Sequence, residues 1–218
     1  MHTKNSVIPG GIFIIKNVIF DIGRVLLEYE PFDYLKAHYE SEKADGLMEL
    51  IYNSPHWIEA DLGVYSISEL YKIFSEKRPE WADDIRSLLS QKTVMSIMTP
   101  KIDTVEFLNE LKASGYKIYL LSNFSKENFD WVDEAYAFLR EVDGRVISSH
   151  VKLVKPDRRI FELILKRYGL EACESVFIDD IPANVRAAED LGIYTIQFTD
   201  IANLRKEFFI NTNIIVID

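Results

Sequence analysis

Asp21 closes the apolar run Asn17-Val18-Ile19-Phe20, and Gly23 follows two positions later. A carboxylate at the end of a buried strand is held from one side and open on the other. It can attack as a nucleophile and form an acyl phosphate or an ester, or it can serve as a turn or helix-capping aspartate. Gly23 permits an unusual backbone angle and close approach of a ligand, or is a plain turn residue. Ser122-Asn123 ends a second apolar run and offers a hydroxyl and backbone N–H groups to an anion, or an ordinary N-cap. Lys155 offers a fixed positive charge to an anion and to a nucleophile, or is a solvated lysine before a helix. Asp179-Asp180 ends a third apolar run. Adjacent carboxylates repel unless a cation or donors offset them. Mg²⁺, which takes carboxylate, carbonyl and water oxygens, is the natural cation; one cap and one solvated carboxylate is the other reading.

Elements must bring these residues together. Residues 12–21 read as a strand: the β-branched and aromatic residues are continuous rather than alternating, as expected for burial on both faces of a parallel sheet. Further strands are expected at 116–121, 145–149, 175–178, 193–198 and 213–217. Between them lie helical stretches. One starts at Thr99-Pro100, with Ile102, Val105, Leu108 and Leu111 as its buried stripe and Gly115 at its end. Others cover part of 125–142, the stretch from Lys155-Pro156-Asp157 to Tyr168, then 182–191 and 201–209. Residues 31–98 differ in texture. Charged and aromatic residues alternate there at helical spacing, Ser66-Ile67-Ser68-Glu69 has the form of a capping box opening a helix through Lys77, and 81–98 reads as one last helical stretch. The expectation is an α/β fold with right-handed crossovers over 11–30 and 99–218, interrupted by a helical insert over 31–98. In parallel sheets of this kind ligands bind at the carboxyl ends of strands, and Asp21, Ser122 and Asp179-Asp180 all stand at such ends.

Composition narrows the function. The 218 residues are 48% hydrophobic, enough for a large core, and carry a net charge of −10. That balance argues against nucleic acid or an anionic membrane as partner, though not against a local pocket for a small anion. Cys173 is the only cysteine, so no intrachain disulfide or thiolate cluster is available. No signal-peptide pattern or bilayer-length apolar span is seen, and the expected compartment is the cytoplasm. The four histidines lack metal-ligand spacing, and neither a P-loop, a dinucleotide fingerprint nor a G-x-S-x-G elbow occurs.

Taken in order, Phe20-Asp21-Ile22-Gly23, Leu120-Leu121-Ser122-Asn123, Lys155-Pro156 and Phe177-Ile178-Asp179-Asp180 with Asn184 resemble the four motifs of the haloacid dehalogenase-like hydrolase superfamily. Their details are most similar to bacterial sugar-phosphate phosphatases of the α-D-glucose-1-phosphate phosphatase type. The resemblance implies a Rossmann-like core with a small all-α cap of the C1 type. It also implies roles. Asp21 would be the nucleophile that becomes an aspartyl phosphate. Asp21, the Gly23 carbonyl, Asp180 and Asp179 would hold Mg²⁺, supported by Asn184. Ser122, Asn123 and Lys155 would hold the phosphoryl group, and Lys155 would also orient Asp21. The segment Trp57-Ile58-Glu59-Ala60-Asp61-Leu62-Gly63 resembles the part of the cap that faces the site, so Trp57, Glu59 and Asp61 would stack on and hydrogen-bond a sugar, or else be a packed tryptophan and solvated carboxylates. Arg24 stands where a small or amide residue is commoner; it adds charge beside the phosphate or is solvated.

Many phosphatases of the superfamily carry a second aspartate where this chain has Gly23. That residue protonates the leaving group and later activates water, which glycine cannot do. A leaving group that departs readily from an anomeric carbon would ask less of an acid; otherwise Glu28, Glu30 or a cap residue would substitute. The function expected is Mg²⁺-dependent hydrolysis of a small phosphorylated metabolite such as a hexose 1-phosphate. Its competitors are a 2-haloacid dehalogenase and a non-catalytic phosphometabolite- or protein-binding module.

Overall fold

The computed structural model describes residues 15–213. Five strands form one sheet: β1 (Asn17–Phe20), β2 (Lys117–Ser122), β3 (Gly144–Ile147), β4 (Ser175–Asp179) and β5 (Tyr194–Gln197). Their order is β3-β2-β1-β4-β5, and every neighbouring pair is parallel. The fold is α/β and Rossmann-like, with an all-α insertion between β1 and β2. The first residues of the expected opening strand, 12–14, lie outside the described residues. So does the expected terminal strand at 213–217, apart from Asn213, which ends the last helix, Ile201–Asn213.

The unbroken apolar runs exist because both faces of the sheet are covered. Side chains alternate between the faces. Val18, Phe20, Ile118, Leu120, Val176 and Ile178 enter one core, while Ile19, Tyr119, Leu121 and Phe177 enter the other, against Ile160, Phe161 and Ile164 of the helix Arg158–Tyr168. Phe20 pairs with Leu120 on one side and Ile178 on the other. The register therefore aligns the ends of β1, β2 and β4. The chain order reverses between β1 and β4, which makes their carboxyl ends the crevice of the sheet.

The inserted unit has its own core of Leu35, Leu47, Ile51, Leu70, Phe74, Ile85 and Leu88. Its helix Ile67–Lys77 opens on a complete capping box: Ser66 Oγ accepts from Glu69 N at 3.3 Å, and Ser66 N donates to Glu69 Oε2 at 2.8 Å. Ser66→Ala is expected to lower stability by about 1 kcal/mol, read as a lower urea midpoint at an unchanged denaturant slope. The expected single helix at 81–98 is instead two, Ala82–Leu88 and Gln91–Ile97. Ser90 divides them by accepting from Thr93 N and so starting a new helix.

The helix expected from Thr99-Pro100 starts later, at Ile102, and runs to Ala113. Tertiary pairing overrides the local signal. Glu28 N donates to Thr99 O at 2.7 Å and Lys101 N to Leu26 O at 2.9 Å, so residues 99–101 run beside the outgoing chain instead of coiling. The buried stripe shifts accordingly to Thr104, Phe107, Leu108 and Leu111, and Ile102 is exposed. These paired connections hinge the helical unit to the core. Elsewhere Val94 and Met98 of the insert pack into the sheet's core, Tyr136 Oη donates to Met98 O at 3.0 Å, Ser148 Oγ to Asp61 O at 2.6 Å and Ile67 N to Glu127 Oε1 at 3.2 Å, and Lys152 Nζ bonds to Gly63 O.

Candidate active site

At the crevice Asp21 N donates to Ile178 O at 2.9 Å, which continues the β1–β4 ladder one residue beyond β1. This fixes the Asp21 backbone beside Asp179. Lys155 lies between the two carboxylates, with Nζ 2.8 Å from Asp21 Oδ1 and 2.6 Å from Asp179 Oδ2. All three side chains are buried. Asn123 locks the lysine's backbone: its Oδ1 accepts from Lys155 N at 2.8 Å and its Nδ2 donates to Lys155 O at 3.0 Å. The Asn123 side chain thus positions Lys155 while the residue also lines the cavity described below.

Asp179 is saturated. Its oxygens accept from Ile181 N at 2.8 Å, from Asn184 Nδ2 at 3.0 and 3.1 Å, and from Lys155. Asp180, next in sequence, is half-buried, and among the described residues its one ion-pair partner is Arg24, with Nη1 at 3.9 Å. Burial raises the Asp180 carboxyl above its usual range, and the Asp179 charge adds to this. Burial also pushes Asp21 up to about 6; Lys155 opposes the shift and Asp179 reinforces it. Lys155 itself is held above the usual lysine range, because Asp21 and Asp179 together outweigh the burial that would lower it.

A cavity of about 250 Å³ opens above these groups. Asp21, Gly23, Arg24, Ser122, Asn123, Lys155 and Asp180 reach it from the core, and Met48, Tyr52, Trp57 and Asp61 from the helical unit. Ser122 ends β2, and its hydroxyl favours the charged form of Asp21. Trp57 stands against Tyr52 with ring centroids 4.9 Å apart, forming an aromatic wall. Glu59 is absent from the lining; its carboxylate pairs with His56 Nδ1 at 2.9 Å. The helix Pro55–Asp61 turns Asp61 inward instead. The unusual backbone angle expected at Gly23 falls one residue later, where Arg24 has φ 58°. Arg24 Nε donates to Tyr29 O at 3.1 Å and lies 3.2 Å from Glu30, so this cation bridges the loop rather than standing free in the cavity.

Tyr29, Tyr52, Met48 and Ile181 were not foreseen as lining residues. Apolar and aromatic residues, whether in a helix as Met48 and Tyr52 or in a connecting segment as Tyr29 and Ile181, look like core, and only tertiary placement separates the two uses. Ser148, which ties Asp61 to the core while accepting from Phe124 N at 2.9 Å, had no signal beyond lying at a strand end.

The donor set suits a hard divalent cation. Asp21, Asp179 and Asp180 each bring a carboxylate oxygen within 4.8 Å of the others. Asp21 Oδ1, though ion-paired to Lys155, is buried without a hydrogen bond. Oxygen-only donors of this kind match Mg²⁺ rather than a softer metal. Because Asp179 is fully engaged, Asp21 and Asp180 are the carboxylates with open valences.

A carboxylate, a lysine bridging to a second carboxylate and a third acid thus meet at the switch point of a parallel sheet. The chain belongs to the haloacid dehalogenase-like hydrolase family, whose model matches residues 15–192. It is 26% identical over 185 residues to the sesquiterpene phosphatase astK of Aspergillus oryzae, covering 85% of this chain and 90% of that one. It is 23% identical to a D-ribitol-5-phosphate phosphatase of Bacteroides thetaiotaomicron, covering 92% of this chain and all of the relative. A similar fold occurs in an enzyme of the same family from Bacteroides thetaiotaomicron, solved with magnesium and inorganic phosphate. Its TM-score is 0.66 at 22% identity, over 85% of this chain and 94% of that one. Among the described residues no helix is long and apolar enough to cross a membrane.

Proposed function

We propose that this chain is a Mg²⁺-dependent phosphatase of small phosphorylated metabolites, sugar phosphates included, working through an aspartyl phosphate on Asp21. The observation that carries the reading is the buried Asp21–Lys155–Asp179 bridge at the floor of a cavity that also exposes Asp180. Asp21 attacks phosphorus. Lys155 holds the attacking carboxylate in place and stabilises charge on the phosphoryl oxygens, and Asp179 and Asn123 hold Lys155. Ser122 and the backbone after it bind the phosphoryl oxygens. Asp21, Asp180 and the Gly23 carbonyl hold Mg²⁺, with Asp179 and Asn184 behind them. When bound, the ion supplies positive charge that offsets the carboxylates and the transferring group.

A cavity of about 250 Å³ is small against the several hundred Å³ of drug-sized sites. It suits a compact leaving group. The Tyr52–Trp57 wall offers a face for sugar C–H groups, and the helical unit, acting as a cap, closes over it and excludes water. Dehalogenation would require a cation given over to the substrate carboxylate, whereas Arg24 in the cavity lining is shared with Tyr29 O, Glu30 and, at 3.9 Å, Asp180.

The test is a panel of phosphate monoesters together with 2-chloropropionate, each with Mg²⁺ and with chelator. Phosphate release that disappears in chelator and returns with Mg²⁺ is the expected result. Release that persists in chelator would overturn the metal role. Halide release would favour a dehalogenase, and inactivity on every compound a binding module.

A further inference from the structure

Gly23 leaves the reaction without its usual proton donor, and the cavity contains a candidate replacement. Glu28 is drawn away by Lys101, with Nζ at 3.1 and 3.2 Å, and Glu30 by Arg24. Neither glutamate lines the cavity. Among the described residues the lining carboxylates are Asp21, Asp180 and Asp61. The first is the nucleophile and the second faces it as a metal ligand. Asp61 is the third, and it comes from the opposite, helical wall.

Asp61 also borders a second chamber of about 70 Å³, directly behind Gly23. Gly23, Tyr29, Trp57, Ser125 and Asn128 form its other walls. Two buried atoms there, Ser125 Oγ and Asn128 Oδ1, have no hydrogen-bond partner among the described residues. Unpaired buried polar atoms are uncommon, and these two give the chamber a polar lining able to hydrogen-bond a small group. A Cβ built on Gly23 would meet no atom within 4 Å, so the space beside the nucleophile is open on this side. The backbone of Asp61 is fastened by the Ser148 hydroxyl at 2.6 Å, which makes its placement a property of the fold.

Resting on the phosphatase reading above, we propose that Asp61 is the general acid and base of this enzyme, supplied from the cap in place of the residue missing at Gly23. In the first half-reaction Asp21 Oδ forms a bond to phosphorus, the P–O ester bond breaks, and the leaving oxygen takes the Asp61 proton to depart as an alcohol. In the second, a water oxygen attacks the phosphorus of aspartyl phosphate and gives its proton to the Asp61 carboxylate. The P–O bond to Asp21 breaks, which restores Asp21 and releases inorganic phosphate. Burial pushes the Asp61 carboxyl up to about 7, with the Asp21 charge adding to it and a bond from the Ser125 backbone opposing it. A carboxyl of that kind can carry a proton at neutral pH and release it.

The experiment uses the full chain with Mg²⁺ and two esters: β-glycerophosphate, whose alkoxide leaves poorly, and p-nitrophenyl phosphate, whose phenolate needs no acid. Asp61→Asn is expected to lower kcat/KM on the glycerol ester by about 10²–10⁴-fold. The first-turnover burst of nitrophenolate should survive within about tenfold, while steady turnover of that ester falls because the second half-reaction lacks its base. Asp61→Asn combined with Gly23→Asp should recover at least about tenfold of the lost alkyl activity, since a carboxyl at position 23 enters open space. Equal loss of the burst and of alkyl turnover, no loss on either ester, or no recovery in the double variant would overturn the proposal. If Asp61→Asn does not fold, Gly23→Asp alone decides. A gain below about threefold on the alkyl ester means that an acid is already present; a gain above about 10²-fold means that none was. Wild type inactive on both esters would instead sink the phosphatase reading itself, and Asp61's role with it.

Discussion

Asp21→Asn is expected to abolish turnover, with kcat falling by about 10⁴–10⁶-fold, the scale seen when a covalent nucleophile is removed. The amide keeps the shape of the carboxylate but cannot attack phosphorus. The same substitution should not weaken the fold, and that separates a chemical role from a structural one. Burial raises the Asp21 carboxyl from 3.8 to about 6, over the opposition of Lys155. A carboxyl whose folded pKa lies above its unfolded value binds its proton more tightly in the folded state. Its stabilising contribution is complete below about pH 4 and is lost as pH rises through 6. At pH 7 in chelator the ionised carboxylate therefore costs on the order of 3 kcal/mol. Asparagine does not ionise, and Lys155 retains Asp179 at 2.6 Å. Thermal scans in chelator should give the variant a midpoint equal to wild type at pH 4 and equal or higher at pH 7. Added Mg²⁺ should raise the wild-type midpoint more than that of the variant, because one ligand has been removed. An inactive variant that also melts early at pH 7 would mean that the substitution damaged the scaffold.

The parts of this site that could be read from the sequence are those set by strands. A parallel strand buried on both faces is a continuous apolar run, so its end is visible, and Asp21, Ser122 and Asp179 each stand at such an end. Local capping was equally legible at Ser66, where both bonds of the box lie within four residues. What could not be read depends on distant partners. Asn123 resembles a ligand contact until its two bonds to Lys155, 32 residues away, are seen. Thr99-Pro100 has every local mark of a helix start, yet its backbone pairs with residues 26–28 across the whole inserted unit. Glu59 and Asp61 are both acids on one short helix. Which of them faces the site depends on how that helix seats on Ser148, 87 residues further along the chain.

Lys155→Met should be the most damaging single substitution for stability, and it should cut the rate as well. The lysine side chain is 1% exposed and its ammonium is shared by Asp21 and Asp179 at 2.8 and 2.6 Å. Methionine fills much of the same volume, so packing is largely kept and the loss is electrostatic. Two buried carboxylates, with oxygens within 4.8 Å of one another and of Asp180, are left without their cation. Breaking a buried pair from one side costs about 3–5 kcal/mol, which in a chain of this size lowers the midpoint by roughly 10 °C. The penalty arises from ionised carboxylates, so in chelator it should shrink as pH falls and the acids take up protons. Mg²⁺ should restore part of the midpoint by supplying positive charge to Asp21 and Asp180. It should not restore Asp179, whose Oδ2 faces the vacated ammonium position, nor the rate, which should stay down by about 10³-fold. Lys155→Arg is expected to rescue neither, because Asn123 grips the backbone at this position from both sides and the slot between the two carboxylates admits a point charge, whereas guanidinium is planar and wider. Full recovery of rate by arginine, or of stability by Mg²⁺ alone, would mean that any positive charge near Asp21 suffices and that the bridge to Asp179 is incidental.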